Sequence, residues 1–235
     1  MSDLKAIFFD LDDTLWDRSA CARQVMDVVM PHLNPYLPED DAEEVIRRFN
    51  AVFLDLPRKE DLRERRPFSM RRRFEALLQS YDVRRPGLAS DMSGRYDHAR
   101  RFSMRQFVRG SAVPVLRELG RMGLKRGVIV NGPPAAQRHL ISSLGLEPHL
   151  DHVILAEAEG YSKPDVRVFR RALQLAGVAS VEMLYVGDSP ITDLLGAARA
   201  GVRTAWYRTG RRGIPIGFPV PDYTIADLAD ILSIV

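Results

Sequence analysis

Ala6-Ile7-Phe8-Phe9-Asp10-Leu11-Asp12-Asp13-Thr14-Leu15 is the stretch whose reading decides the fold. It opens on an apolar run rich in β-branched and aromatic residues, the composition of a strand buried on both faces. It then delivers carboxylates at alternate positions, and in extended backbone residues i and i+2 project to the same side. Asp10 and Asp12 are therefore expected to converge just beyond the strand end. An unpaired carboxylate beside a dry core is costly, so a divalent cation or a lysine is expected nearby. Thr14 brings a hydroxyl suited to holding the turn. A strand that simply ends in an acidic loop fits this stretch equally well, and the rest of the chain has to decide.

Residues 16–108 change texture. Helical periodicity replaces strand-like runs: Arg18 to Met30 forms a first segment, and Val45, Ile46, Phe49, Val52 and Phe53 an apolar stripe after Pro38 and the acidic turn Glu39-Asp40-Asp41. Phe74, Leu77, Leu78 and Tyr81 form a third segment, and Leu88 to Val108 a fourth. Arginine concentrates here, at Arg63, Arg65, Arg66, Arg71, Arg72, Arg73, Arg84, Arg85, Arg100, Arg101 and Arg105, interleaved with Glu60, Asp61, Glu64, Glu75 and Asp97. Most of these are read as a solvated, ion-paired surface. One or two could instead hold an anionic substrate bidentately.

From Ser111 onward helices and strands alternate. Strands are expected at Gly127–Val130, His152–Leu155, Met183–Val186, Val202–Tyr207 and Tyr223–Ile225. Helices are expected from Pro114 to Gly123, from Pro133 to Gly145, over Pro164–Ala176 and Pro190–Ala200, and over Ile225–Ile234. This alternation implies an α/β fold, a doubly wound parallel sheet, with an inserted helical domain. The core is assigned to residues 1–15 and 109–235, and the helical insertion to 16–108.

Composition narrows the classes. The chain has 235 residues, 46% hydrophobic and 28% charged, which is ordinary globular material. Lys and Arg total 34 against 31 Asp and Glu, a net charge of +3 that does not suit a nucleic-acid binder. Cys21 is the single cysteine, which rules out an intrachain disulfide and fits a reducing compartment. Met1-Ser2-Asp3-Leu4-Lys5 lacks the basic and apolar regions of a signal peptide, and no run is long enough to span a bilayer. A cytoplasmic protein without membrane or nucleic-acid partners is expected.

In a doubly wound sheet, ligands bind beyond the carboxyl ends of the strands where strand order reverses. The polar residues expected there are Asp10 and Asp12 after the first strand, Asn131 after the second, Ser162-Lys163-Pro164-Asp165 after the third, and Asp188 with Asp193 after the fourth. Acids crowded around one lysine form a constellation for metal and phosphate. Hard oxygen donors, few in number, suit Mg2+ with retained waters and a phosphate oxygen. Taken singly, Lys163 reads as a surface lysine, Asp193 as a helix N-terminal acid and Asp188 as a turn residue. It is their joint occurrence that argues otherwise. Asp165 reads as a first-turn acid beside Pro164.

Asp10-Leu11-Asp12-Asp13-Thr14-Leu15, Lys163-Pro164-Asp165, and Gly187-Asp188-Ser189 followed by Asp193 occur in the order of the haloacid dehalogenase (HAD) superfamily, which the chain resembles over nearly its whole length. A helical insertion after the first motif resembles the C1-type cap of that superfamily, and Gly196-Ala197-Ala198 with Ala200-Gly201-Val202 is similar to its phosphatases. The resemblance implies a Rossmann-like core and a Mg2+-dependent phosphatase acting on a small phosphorylated metabolite. Asp10 would be the nucleophile that forms an aspartyl-phosphate, and Asp12 the general acid and then base. Lys163 would neutralise the phosphoryl oxygens. Asp10, the Asp12 backbone carbonyl and Asp188 would bind Mg2+, and Asp193 would position Lys163 or a metal-bound water.

Two positions depart from the family pattern. Val130 stands where a Thr or Ser usually donates a hydroxyl to the phosphoryl group, which leaves Asn131 as the phosphate-binding candidate, and Asp13 stands where Gly is common. Asp12 favours phosphatase over dehalogenase chemistry. A phosphomutase using the same intermediate stays open, although those enzymes tend to carry an acid where Gly187 stands. So does a catalytically impaired protein whose Arg-rich insertion binds an anionic partner. A lid movement about Leu15–Asp17 and Arg109–Ser111 is expected from the need to exclude water.

Overall fold

The computed structural model describes residues 4–37, 42–51, 69–210 and 213–235. Strand β1, Ala6–Phe9, is buried along its whole length, as its composition requires. After it the chain enters α1 (Arg18–Leu33), α2 (Ala42–Ala51), α3 (Met70–Ser80) and α4 (Leu88–Ser103). It then alternates: α5 (Ala112–Arg121), β2 (Lys125–Val130), α6 (Pro134–Leu144), β3 (His152–Leu155), α7 (Val166–Ala176), β4 (Met183–Gly187), α8 (Leu195–Arg199), β5 (Arg203–Tyr207) and β6 (Tyr223–Ile225). Compactness divides the chain into one unit of Met1–Arg18 with Phe107–Val235 and a second of Ser19–Gln106.

The first unit is a six-stranded sheet in the order β3-β2-β1-β4-β5-β6, every pair parallel. The chain runs outward from β1 to β3, then returns to the other side of β1 as β4, so strand order reverses beside β1. Alternation along the strands sorts side chains by face. Ala6 and Phe8 of β1, with Met183 and Tyr185 of β4, join Val168, Phe169 and Ala172 of α7 and Ala197 of α8 in one apolar cluster. Two glycines permit the tight packing. A Cβ at Gly127 would meet the Phe8 ring at 2.2 Å, and one at Gly196 would meet the Phe169 ring at 2.3 Å.

The second unit is helical. Phe49, Phe74 and Tyr96 pack as an aromatic cluster, with Phe49 and Phe74 ring centres 4.9 Å apart. Arg73 is buried there: its guanidinium lies 4.2 Å from the Phe49 ring centre and donates to the Phe49 carbonyl at 3.1 Å. Arg71 pairs with Glu75 and Arg84 with Asp82 on the surface, and Arg85 lies over Tyr36. The acidic turn at 38–41, Val52, Phe53, Arg63, Arg65 and Arg66 lie outside the described residues.

Several boundaries differ from expectation for local reasons. α1 continues through Pro31 to Leu33. The segment expected to run helically to Val108 tightens into a 3-10 turn at Met104–Phe107. The expected closing helix is a 3-10 segment, Leu228–Ser233, because the Asp227 and Asp230 carboxylates draw the Ala226, Asp227 and Ala229 N–H groups into a tight capped turn. Among the described residues no helix is long and apolar enough to cross a membrane.

Candidate active site

The site is assembled at the carboxyl end of β1, where the Asp10 N–H donates to the Val186 carbonyl of β4 at 2.8 Å. Its centre is Lys163, 5% exposed. An ammonium carries three N–H donors, and three acceptors surround this one: Asp10 Oδ1 at 2.5 Å, Asp193 Oδ1 at 2.7 Å and the Tyr185 hydroxyl at 2.9 Å. Burial alone would lower the Lys163 pKa, but the carboxylates of Asp10 and Asp193 outweigh it and hold the ammonium well above the usual lysine value. Lys163 therefore stays charged.

Asn131 grips the lysine's main chain. Its Oδ1 accepts from the Lys163 N–H at 2.8 Å, and its Nδ2 donates to the Lys163 carbonyl at 3.1 Å. The side chain expected to meet phosphate is thus engaged in a two-way bond to the segment that carries the cation. Val130 ends β2 and is buried. Asp165 caps α7, accepting from the Arg167 N–H at 2.9 Å and pairing with its guanidinium.

Asp193 arrives on a turn that differs from the expected helix. Pro190–Leu194 is a π turn and only Leu195–Arg199 is α-helical. The wider turn carries Asp193 into the interior, fully buried, where Oδ2 accepts from the Ser189 N–H at 3.1 Å while Oδ1 faces Lys163. The space it fills belongs to a glycine: a Cβ on Gly187 would stand 2.6 Å from the Asp193 side chain. An acidic residue at position 187, the phosphomutase-like variant, is incompatible with Asp193 in this place.

Ligand atoms of Asp10, Asp188 and Asp193 all lie within 4.8 Å of one another. Burial, then the Asp193 and Asp13 carboxylates, push the Asp188 carboxyl up to about 7. One ammonium does not neutralise three converging carboxylates. The donor set, all hard oxygens with an excess of negative charge, fits a small divalent cation such as Mg2+. Trp206 steadies this corner by donating its indole N–H to the Asp188 carbonyl at 3.0 Å.

The turn after β1 is built on the Leu11 carbonyl, which accepts the N–H groups of Thr14, Leu15 and Trp16. Asp13 adopts φ 59°, the left-handed region that makes Gly the commoner residue at this place. Thr14 is fully buried, and its hydroxyl has no hydrogen-bond partner among the described residues, contrary to the expectation that it holds the turn. The Thr14 carbonyl does so instead, with that of Asp13, by accepting from the Arg109 guanidinium at 3.1 and 3.0 Å. Arg109 also faces Asp17 at 3.4 Å and lies 4.9 Å from the Tyr207 ring centre. The Asp12 carboxylate has two neighbours: Oδ1 accepts from the Trp16 indole at 2.9 Å, and Oδ2 lies 3.8 Å from Arg18 Nε.

Tyr185 and Trp206 were not singled out by sequence, and Ser189 and Arg109 were named only as parts of a motif and of a linker. Tyr185 carried a usable signal, since it lies two residues before Gly187 and shares its strand face. For Arg109 the surrounding arginines masked any signal.

Residues 4–201 match the family model for haloacid dehalogenase-like hydrolases. The chain belongs to that family and is a hydrolase. It is similar to a glyceraldehyde 3-phosphate phosphatase of Pyrococcus abyssi, 30% identical over 88% of this chain and 83% of that protein. It is also similar to a phosphoserine phosphatase of Thermus thermophilus, 39% identical over 49% of this chain and 46% of that protein. Among solved structures, the putative HAD-hydrolase YfnB of Bacillus subtilis shares the fold with a TM-score of 0.76 at 21% identity, covering 98% of both chains.

Proposed function

We propose that this hydrolase is a Mg2+-dependent phosphatase that cleaves a small phosphomonoester through an aspartyl-phosphate on Asp10. The observation that carries the reading is the buried Lys163–Asp10 pair beside Asp188 and Asp193. Lys163 occupies Oδ1 of Asp10 and leaves Oδ2 to attack phosphorus in line. As the Oδ2–P bond forms and the ester P–O bond breaks, Asp12 gives its proton to the departing alkoxide. Asp12 then takes a proton from water, whose oxygen attacks phosphorus, breaks the bond to Asp10 and releases orthophosphate. Asp193 and Tyr185 hold the ammonium in place, and Asn131 fixes its backbone. Asp10 and Asp188, with the Asp12 carbonyl, would hold Mg2+, which supplies charge neutralisation for the phosphoryl group.

Relatives named as phosphatases of glyceraldehyde 3-phosphate and phosphoserine support the monoester class and supply the first substrates to try. The fit of Asp193 into the space above Gly187 speaks against a phosphomutase. The helical unit is read as a specificity-setting cap. Cys21, the single cysteine of the chain, is buried, and so low a cysteine content suits a cytoplasmic setting.

The test is release of inorganic phosphate from a panel of small phosphomonoesters, with Mg2+ and with chelator, by wild type and Asp10→Asn. Mg2+-dependent release that Asp10→Asn abolishes supports the reading. Release unaffected by Asp10→Asn, or none from any ester by folded protein, overturns it.

A further inference from the structure

The indole of Trp16 is 1% exposed and its one polar atom is spent on Asp12, at 2.9 Å from Oδ1. Three features fix this contact. The Trp16 N–H binds the Leu11 carbonyl, so Asp12 and Trp16 are held in the same turn. Asp12 and Trp16 form a β-bridge, and Trp16 forms another with Val108. Arg109 clamps the Asp13 and Thr14 carbonyls that lie between the two residues. These contacts hold the two backbones together, and the burial of the indole restrains the ring itself.

We propose that Trp16 is a positioning residue that assigns the two oxygens of Asp12 different tasks. An indole N–H only donates, so the oxygen facing it must accept and is the poorer place for a proton. Oδ1 is thereby reserved for Trp16, and Oδ2, whose neighbour Arg18 Nε lies 3.8 Å away and outside hydrogen-bond distance, becomes the oxygen that delivers the proton to the leaving group and later removes one from water. A carboxyl left to rotate would present its proton in the wrong direction for part of the time. This inference rests on the reading of Asp12 as general acid, and its test separates the two.

The contact itself is read without turnover. The chain has two tryptophans, so protein labelled with 15N-tryptophan gives two indole N–H signals. Asp12→Ala, which removes the acceptor, should move the Trp16 signal upfield and leave that of Trp206 in place. An unmoved Trp16 signal overturns the proposal.

The consequence is read from kcat/KM on two esters: glyceraldehyde 3-phosphate, whose alkoxide needs a proton to leave, and 4-nitrophenyl phosphate, whose phenolate does not. Trp16→Phe keeps the ring and removes the donor. It should lower kcat/KM on the alkyl ester about fivefold to tenfold, the worth of one oriented hydrogen bond, with a much smaller loss on the aryl ester. Benzothienylalanine at position 16 matches indole in shape, lacks the N–H, and should give the same selective loss. Equal losses on both esters, or full activity with benzothienylalanine, would show that the ring serves packing alone. Asp12→Asn is run alongside: if it shows no preference between the esters, the assignment of Asp12 as the acid falls, and this inference with it.

Discussion

The Tyr185 hydroxyl stands 2.9 Å from Lys163 Nζ and 3.4 Å from Asp193 Oδ1, so a residue of the sheet interior completes the shell of the Lys163 ammonium. Tyr185→Phe strands one buried N–H of that ammonium. The expected loss is about 1–3 kcal/mol of stability and a lower kcat with KM little changed, read by urea unfolding and by phosphate release. Lys163→Met is more severe. It leaves Asp10 and Asp193 facing each other without a cation, costing about 3–5 kcal/mol and abolishing turnover. A Lys163→Met protein as active as wild type would contradict the electrostatic role.

Asp188 links metal to pH. Its carboxyl, at about 7 in the metal-free protein, lies above the unfolded value near 3.9. Between those values the folded state keeps a proton that the unfolded state has released, so this group makes stability fall as pH rises from about 4 to 7. On the proposed reading, Mg2+ bound at Asp188 would remove the penalty by taking the proton's place. The increase in Tm on adding Mg2+ should therefore be large at pH 7.5 and small at pH 5.5. Asp188→Asn should remove most of both effects. An equal Mg2+ increment at the two pH values would show that another group holds the cation.

Asn131→Ala removes both bonds to the Lys163 backbone while leaving every contact of its ammonium. About 1–3 kcal/mol of stability should be lost, and kcat should fall because the lysine is less firmly held. A rise confined to KM would instead mark Asn131 as a direct phosphate ligand.

Val130→Thr restores the hydroxyl that the family places at the end of the second strand. One added donor to an anion is worth about 1–3 kcal/mol when it is well aimed. Phosphate-release assays should therefore show a gain of about tenfold in kcat/KM. An unchanged value would show that this chain already satisfies the phosphoryl oxygen by other donors.

Much of the sheet was legible because buried parallel strands are written as short apolar runs bounded by Gly, Pro and Asn. β3 and β6 have the bounds expected, β2, β4 and β5 lie within two residues of theirs, and β1 falls in the apolar run expected to form a strand. What stayed hidden was set by tertiary contact. That Asp193 positions Lys163 was expected from the family resemblance, and its Oδ1 does face the ammonium, but the π turn that carries it inward was not legible in a segment that reads as an ordinary helix. Asn131 reads as a phosphate donor from its place at a strand end, but Lys163, its partner, is remote in sequence. The alternation rule aimed Asp10 and Asp12 to one side. The two stand close enough for the Asp12 charge to act on Asp10, but their separate partners, Lys163 for Asp10 and Trp16 for Asp12, come from the turn on Leu11 and were not legible.

The segments that leave and re-enter the sheet unit are bonded to each other: the Asp17 N–H donates to the Phe107 carbonyl at 2.8 Å and the Arg109 N–H to the Leu15 carbonyl at 3.0 Å. Seen from the sheet, everything between them is one closed loop, and the entropy of closing a loop grows only with the logarithm of its length. Changes in the length of the helical segment are therefore expected to cost little stability in the strands that carry the acids and the lysine.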